Sequence, residues 1–438
     1  MLARGASVKH HEDKPMKRIT PSRKLLCAAL TASWCLGAQA QVQPGSNVES
    51  LLSMAREGNP DFASMRYEAD AATERITPAG ALPDPKLRTE LMDITKGGSQ
   101  SASLSPSRVG STRYTLMQDI PWFGKRDLKR EIAELEAEGA KGRAYGTWSE
   151  VAAKIKTTYA QLYYLNRNES LTKEILDLMV RLEKIAQVRY AGGLAAQQDV
   201  IRAQVEQTSM RNELIAIETE HHHLKTRMNA LLGRPAAAPL AMPESLRPLP
   251  APAQLDYATL EERARTRNPM LSAEGHRIAA AEKSRELAYK NRYPDVTVGV
   301  VPNQMQNEVK QWDLMFEINI PLQQSSRRAQ EREAEAMVSA SRAKRDATSN
   351  QLLSDLSANL FELEAARRTE RLTTDSLLPQ AELTFKAALS GYETGKVDFA
   401  TLLDAQRQIR QAKLNQIKSR AEAQVRLAEI ERILGEEL

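Results

Sequence analysis

Apolar residues recur along most of this chain at intervals of three and four, and in a few short stretches they alternate with polar ones instead. Val151, Ile155, Thr158, Leu162 and Leu165 are spaced 4, 3, 4, 3, as are Leu171, Ile175, Leu178, Leu182 and Ile185. Leu353, Leu356, Leu360 and Leu363 carry the pattern again. Such intervals lay one apolar seam along an α-helix, the arrangement that coiled coils bury. No proline occurs from Trp122 to Arg234, and Pro379 is the only one from Leu322 to the end. Proline removes a backbone donor and clashes with the preceding turn. Its scarcity predicts two very long helices in each region, each pair broken at a glycine turn, at Gly193 and Gly395. A helix of about sixty residues is ~90 Å long at ~1.5 Å per residue, too long for a compact globule. Taken alone, this pattern also fits a solvated coiled-coil rod.

The alternating stretches argue against a simple rod. Trp312, Leu314, Phe316, Ile318 and Ile320 alternate with Asp313, Met315, Glu317 and Asn319, and Val296, Val298 and Val300 do the same across a loop at 302–311. The earlier counterpart is weaker: Leu87 and Leu91 against Lys86, Arg88 and Glu90, then Tyr114, Leu116 and Ile120 around Gln118. Side chains on a strand point alternately to its two faces, so strands are expected at about 85–92, 113–121, 294–301 and 312–321, each with an apolar stripe. A hairpin packed on the helices would explain the stripe; so would a lipid-facing strand of about ten residues with a polar lumen behind it. In the second reading Trp122, Phe123 and Trp312 sit at the membrane–water boundary, where amphipathic aromatics collect.

The two sets of elements repeat. Asn59-Pro60 recurs as Asn268-Pro269, offset by 209; Pro83-Asp84 as Pro294-Asp295, offset by 211; Ile120-Pro121 as Ile320-Pro321, offset by 200. Tyr190, Gly193, Ala203-Gln204 and Leu232-Gly233 recur as Tyr392, Gly395, Ala405-Gln406 and Leu434-Gly435, all offset by 202. Order is kept, which marks an internal duplication, with one inter-strand loop longer in the first copy. Residues 234–254 contain six prolines and read as an extended linker. The expected organisation is a repeat over 41–233, the linker, and a second repeat over 255–438. Each repeat has a short helical segment, a strand pair and two long helices.

Composition sharpens this. Aromatics are only 5% of the 438 residues, which favours long helices over an all-β domain. The formal net charge of +5 is local. Residues 1–40 hold 7 of the 61 Lys and Arg and 2 of the 56 Asp and Glu, leaving 54 of each sign. A nucleic-acid surface is thereby disfavoured. Lys17, Arg18, Arg23 and Lys24, the apolar run Leu25–Leu36 and Ala38-Gln39-Ala40 read as a secretory signal. The expected start is Met16 and the expected mature residue Gln41. Cys27 and Cys35 both lie in this leader, and Trp34 just before Cys35 argues against lipidation there. The mature chain then has no thiol chemistry and no disulfide.

Four strands cannot close a barrel, and lipid does not tolerate open sheet edges. If the hairpins enter a membrane, several chains must share one barrel, and three would supply twelve strands and twelve long helices. With these features in place the sequence resembles the TolC family of outer-membrane efflux channels over essentially the whole mature chain. The resemblance rests on the tandem halves, on the run from Gln118 through Ile120, Pro121, Trp122, Phe123, Gly124 and Lys125 to Arg126, and on two tip motifs. The tips run from Tyr190 through Gly193 and Asp199 to Gln204, and from Tyr392 through Gly395, Lys396, Asp398 and Asp404 to Gln406. The Ile-Pro-Trp-Phe-Gly-Lys-Arg run is similar to the heavy-metal (CusC/CzcC-type) branch. The resemblance implies a mainly α homotrimer forming a shared 12-strand β-barrel on a 12-helix α-barrel tunnel. It also implies an equatorial collar near 49–80 and 256–290, a periplasmic adaptor, an inner-membrane RND-type pump that supplies the energy, and outer-membrane lipid around the barrel. It implies no cofactor and no enzymatic step. The implied cargo is heavy-metal cations, with organic compounds as the alternative. A periplasmic coiled-coil adaptor is the rival class, and would be expected to carry one helical hairpin between soluble β-domains.

The resemblance also implies site residues. Gly192, Gly193, Leu194, Thr394 and Gly395 form the tip turns that meet the adaptor, though Gly192 and Thr394 stand where the family often has Val. Asp199 and Asp404, with Asp398, Lys396 and Tyr392 beside them, match the closing end of the tunnel, where rings of aspartate favour cations. Helix capping or plain surface exposure is the competing role for these acids. Val397 and Thr401 replace the Arg and Asp often found there, so an ionic latch of that type is not expected. His221, His222 and His223 point about 100° apart on a helix and do not converge on one ion; no metal site is expected from them or from His276. Arg327-Arg328 and Arg367-Arg368 read as solvated faces.

Overall fold

The computed structural model describes residues 44–95, 102, 104–305 and 307–438. The leader, its cleavage site and both cysteines lie outside the described residues. The elements follow the duplicated grammar. The first repeat runs α1 (Val48–Gly58), α2 (Pro60–Glu74), α3 (Ile76–Gly80), β1 (Lys86–Met92), β2 (Ser111–Ile120), α4 (Lys125–Ala191) and α5 (Gln197–Leu231). The second runs α6 (Tyr257–Arg267), α7 (Pro269–Lys290), β3 (Val296–Met305), β4 (Glu308–Ile318), α8 (Gln324–Leu372), a π-helical turn (Thr373–Leu377), α9 (Leu378–Glu393) and α10 (Phe399–Leu434).

At 67 residues, α4 is ~100 Å long. Its counterpart is the continuous run α8–π–α9. The π turn lies just ahead of Pro379, and the repeat offset rises from 200 to 202 between the strand end and the tip. A π-bulge takes up inserted residues without ending a helix. Conversely, α7 is unbroken where the first repeat splits into α2 and α3 around Pro78. The apolar seam of α4 drifts by one position. Beyond Leu171 and Ile175 the fully buried residues are Met179, Leu182 and Ala186, while Leu178 and Ile185 are only partly covered. An α-helix turns slightly more slowly than a heptad repeat, so a buried stripe slips along it.

Each repeat builds its own core at mid-height. Leu51 and Ala55 of α1 pack with Ile155 of α4 and Met228 of α5. Their duplicates Leu260 and Ala264 pack with Leu356, Leu363 and Ile430. The Asn-Pro pair serves both repeats in the same way. Asn59 caps α2 by accepting from the Phe62 amide (2.9 Å) and donates its amide to Leu231 O (2.8 Å), closing the end of α5. Asn268 accepts from Leu271 N (2.9 Å) and donates to Ile433 O (2.7 Å) at the end of α10. A buried charge cluster joins the halves: Lys156 of α4 contacts Glu431 of α10 (2.8 Å) and Glu437 (2.7 Å), and linker residue Arg247 reaches Glu431 at 3.0 Å.

The strands form one antiparallel sheet in the order β1-β2-β3-β4. Several boundaries differ from expectation. Most of 302–311 is strand, because β3 continues to Met305 and β4 starts at Glu308. β2 starts earlier, at Ser111, and β4 ends at Ile318, so Ile320 has already left the sheet. At the β3–β4 hairpin the hydrophobic alternation stops before the backbone pairing does, and a register shift at Asn303/Gln304 further scrambles the pattern. The longer inter-strand connection is in the first repeat, as expected.

Candidate functional site

Two regions of the molecule carry features that a stable core does not require. The first is the sheet, whose faces are reversed relative to a soluble protein. One cross-strand row is Leu87–Leu116–Val300–Leu314. All four are exposed, from 41% at Val300 to 87% at Leu314. Phe316, Ile318 and Trp312 extend this apolar face and are also exposed. The opposite face holds two hydrogen-bonded polar clusters. Lys86 Nζ and Thr297 Oγ1 both donate to the Asp119 carboxylate (2.7 Å each). Arg113 Nε donates to Asn303 Oδ1 (3.1 Å), and the Asn303 amide and Gln311 Nε2 donate to Asp313 (2.7 and 2.9 Å). Thr115 and Asn303 on this face are buried. Burying polar groups while exposing large apolar ones is unfavourable in water and matches the alternation of a strand between lipid and lumen. β2 and β4 are 10 and 11 residues long, near the ~9–11 residues of a spanning strand. Among the described residues, both outer strands, β1 and β4, have one free edge. Among the described residues, no helix is long and apolar enough to cross a membrane.

The Pro-Trp-Phe-Gly-Lys-Arg run forms the junction between sheet and helix. Gly124 takes a left-handed φ of 77°, which starts α4 immediately after the turn. Lys125, buried, donates to Asp295 (2.8 Å) and to Tyr293 O (2.9 Å), and the Trp122 amide donates to the same carboxylate (2.8 Å). Trp122 stacks on Tyr293 at 5.3 Å, with the rings 8° from parallel. Arg126 donates through Nε and Nη2 to Gly80 O at the end of α3. Phe123 and Trp312 are exposed, whereas Trp122 is half-buried. In the sequence only the aromatics of this run carry an expected role; that Lys125 meets Asp295 and Tyr293 is visible only in the structure, although Asp295 belongs to the duplicated Pro-Asp pair.

The second region is the helical tip. Gly193 (φ 70°) and Gly395 (φ 76°) make the two turns in the left-handed conformation expected of them. Gly192, Leu194, Thr394 and Lys396 are exposed around them. Tyr392 is buried at the tip, 5.2 Å from Phe399 ring to ring. Its hydroxyl faces Asp199 Oδ2 at 3.5 Å. Burial, then the neighbouring Asp199 charge, push the Tyr392 hydroxyl up to about 12. Asp398 caps α10 by accepting from Thr401 N at 2.9 Å. The Thr401 hydroxyl and amide hold its carboxyl below the usual range. Asp404 is exposed and lies 3.8 Å from Arg407 of its own helix. The structure therefore joins Tyr392 with Asp199, makes Asp398 a capping residue and leaves Asp404 exposed beside Arg407 on the helix surface. Arg189, which the sequence reading passed over, contacts both turns.

The histidines do not make a centre. His221 is buried with Nδ1 3.5 Å from Glu169, and burial lowers its proton affinity. The neighbouring rings of His222 and His223 stand 6.4 Å apart. No group of three or more metal-ligating side chains occurs among the described residues.

Comparison with known proteins agrees with this architecture. The family model described as "Outer membrane efflux protein" matches residues 51–234 and 260–436, one match to each repeat. The chain is 24% identical over 395 residues to the cobalt-zinc-cadmium resistance protein CzcC of Cupriavidus metallidurans, covering 89% of this chain and 90% of that one. Among solved structures it superposes on the outer membrane protein VceC of Vibrio cholerae with a TM-score of 0.76 at 18% identity, covering 89% and 96% of the two chains. It also superposes on CusC with a TM-score of 0.72 at 16% identity, covering 89% and 92%.

Proposed function

The chain belongs to the outer membrane efflux protein family, and from that premise we propose that it is the outer-membrane duct of a tripartite export system for heavy-metal cations. The observation that carries the membrane part is the reversed sheet: an exposed apolar row opposite a bonded polar face, with both edges open. Three copies supply the further strands needed to close those edges into a 12-strand barrel. Their twelve long helical runs form the tunnel below it. Trp122, Phe123 and Trp312 then lie near the lipid boundary. The turns at Gly192–Leu194 and Thr394–Gly395 meet a periplasmic adaptor, and an inner-membrane RND-type pump drives transport. The exposed Asp404 and the Tyr392–Asp199 pair, with Asp398 and Lys396, form the narrow end, where the acids favour cations. The duct moves cargo and makes or breaks no covalent bond.

The metal cargo rests on the likeness to CzcC and on the Ile-Pro-Trp-Phe-Gly-Lys-Arg run. A strain lacking the protein, tested against zinc, cobalt, nickel, cadmium, copper and silver beside dyes and antibiotics, decides it. Selective metal sensitivity is expected. Sensitivity to organic compounds alone overturns the metal assignment and leaves the duct in place. A heat-modifiable trimer in outer-membrane fractions is expected, and a soluble periplasmic monomer overturns the duct itself.

A further inference from the structure

We propose that Arg189 is a clamp that joins the two helical turns of one chain into a single docking body. It stands in the last turn of α4, four residues before Gly193. Its Nη1 donates to Glu393 O at the end of α9 (2.7 Å), and its Nη2 donates to Leu194 O in the first turn (3.2 Å). The guanidinium also lies over the buried Tyr392 ring, 5.0 Å from its centre. One side chain thus spans both turns and stacks on the residue that packs against Phe399 beneath them.

The chemistry suits arginine. Helix C-termini leave carbonyl oxygens without intrahelical partners and carry partial negative charge. A planar, permanently charged fork reaches one such oxygen, Glu393 O, together with the turn carbonyl of Leu194, and stacks on an aromatic face at once, which a lysine ammonium does not. The duplication shows that the clamp is one-sided. The position equivalent to Arg189 in the second repeat is Gly391, where a Cβ would come within 2.6 Å of Val397 Cγ2. No second arginine fits there, so one arginine alone bridges the turns, above the Tyr392–Asp199 contact and the core that the two repeats share. Gly395 leaves room for it: a Cβ at this position would lie 3.3 Å from Arg189 Nη2, whereas one at Gly193 would meet nothing within 4 Å.

The geometry stands without any partner; only its consequence for docking rests on the adaptor-facing role proposed for the tips. Residues 41–438 contain no cysteine, so Leu194→Cys and Thr394→Cys can be spin-labelled without background. Co-expression with excess unlabelled chain restricts the pulsed electron–electron distance to turns within one chain. A narrow distribution is expected with Arg189 present. Arg189→Ala is expected to widen it at least twofold, and Arg189→Lys to fall between. Gly395→Ala is expected to widen it more than Gly193→Ala, although both strain a left-handed residue. An unchanged width in Arg189→Ala overturns the clamp. The same variant is scored for resistance to whichever cargo the deletion strain identifies. Widening with resistance lost supports the single docking body; widening with full resistance overturns the link to docking and keeps the tether.

Discussion

The two repeats of this chain are most alike at mid-height and least alike at the tip. At mid-height Leu51 and Leu260, Ala55 and Ala264, and Asn59 and Asn268 occupy matching places with matching bonds. At the tip Tyr190 is exposed and Tyr392 buried, and Arg189 stands against Gly391. One long helix is continuous while its counterpart carries a π turn. The contrast follows from what each region packs against. At mid-height each repeat encloses a core of its own, so both copies face the same packing problem. At the tip a single core draws Leu171, Ile175, Met179 and Leu182 from one repeat and Tyr392, Phe399 and Leu402 from the other. Two surfaces that pack against each other must be complementary, and complementary surfaces are not copies.

The largest expected effect is at a mid-height feature that breaks the symmetry. Glu431 is buried with Lys156 and Arg247 on it. Removing one partner of a buried charged pair strands the other. Glu431→Ala is therefore expected to cost about 3 kcal/mol, read as a lower unfolding midpoint. A loss below about 1 kcal/mol would mean that this charge cluster does not hold the halves together. The next test asks whether the copies are energetically equivalent. Asn59→Ala and Asn268→Ala each remove a helix cap and the donor to a buried carbonyl. Each is expected to cost about 2 kcal/mol, and the two costs should agree within about 0.5 kcal/mol. Clearly unequal losses would break the mid-height equivalence.

The smallest effect concerns the tyrosine pair. The Tyr392 hydroxyl is held to about 12, above the ordinary value of 10.0. The folded state binds this proton more tightly than the unfolded chain does. The resulting stability is complete below pH 10 and is lost as pH rises through about 12. Ultraviolet titration of the phenolates should lose its latest component in Tyr392→Phe. A latest component that survives this substitution would remove Tyr392 from the buried tip.

The sequence showed the elements and the duplication well, because their signals are local. Seam spacing, absent prolines and the Gly193 and Gly395 turns each act within a few residues. It was less informative where pairing outruns pattern. Pro302, Asn303, Gln304 and Gln311 continue the strands without apolar alternation, since hydrogen bonding to β2 and across the β3–β4 hairpin holds them there. Asp398 is read from the resemblance as a pore acid, and the structure shows that it also caps α10 through Thr401, a bond its spacing allows but does not announce. Lys125 and Asp295 are 170 residues apart, and nothing in the order of residues announces that they meet.

By itself, then, the sequence determined the long helices, the tip turns, the repeat and the apolar stripe of the strands, because each depends on backbone preference or on periodicity along a single element. Tertiary structure alone decided which acids stay exposed, that Lys156, Glu431 and Arg247 share one buried site, and that Arg189 reaches both turns. Those outcomes depend on distances between segments some 200 residues apart, and a periodic pattern carries no information about which distant face it will meet.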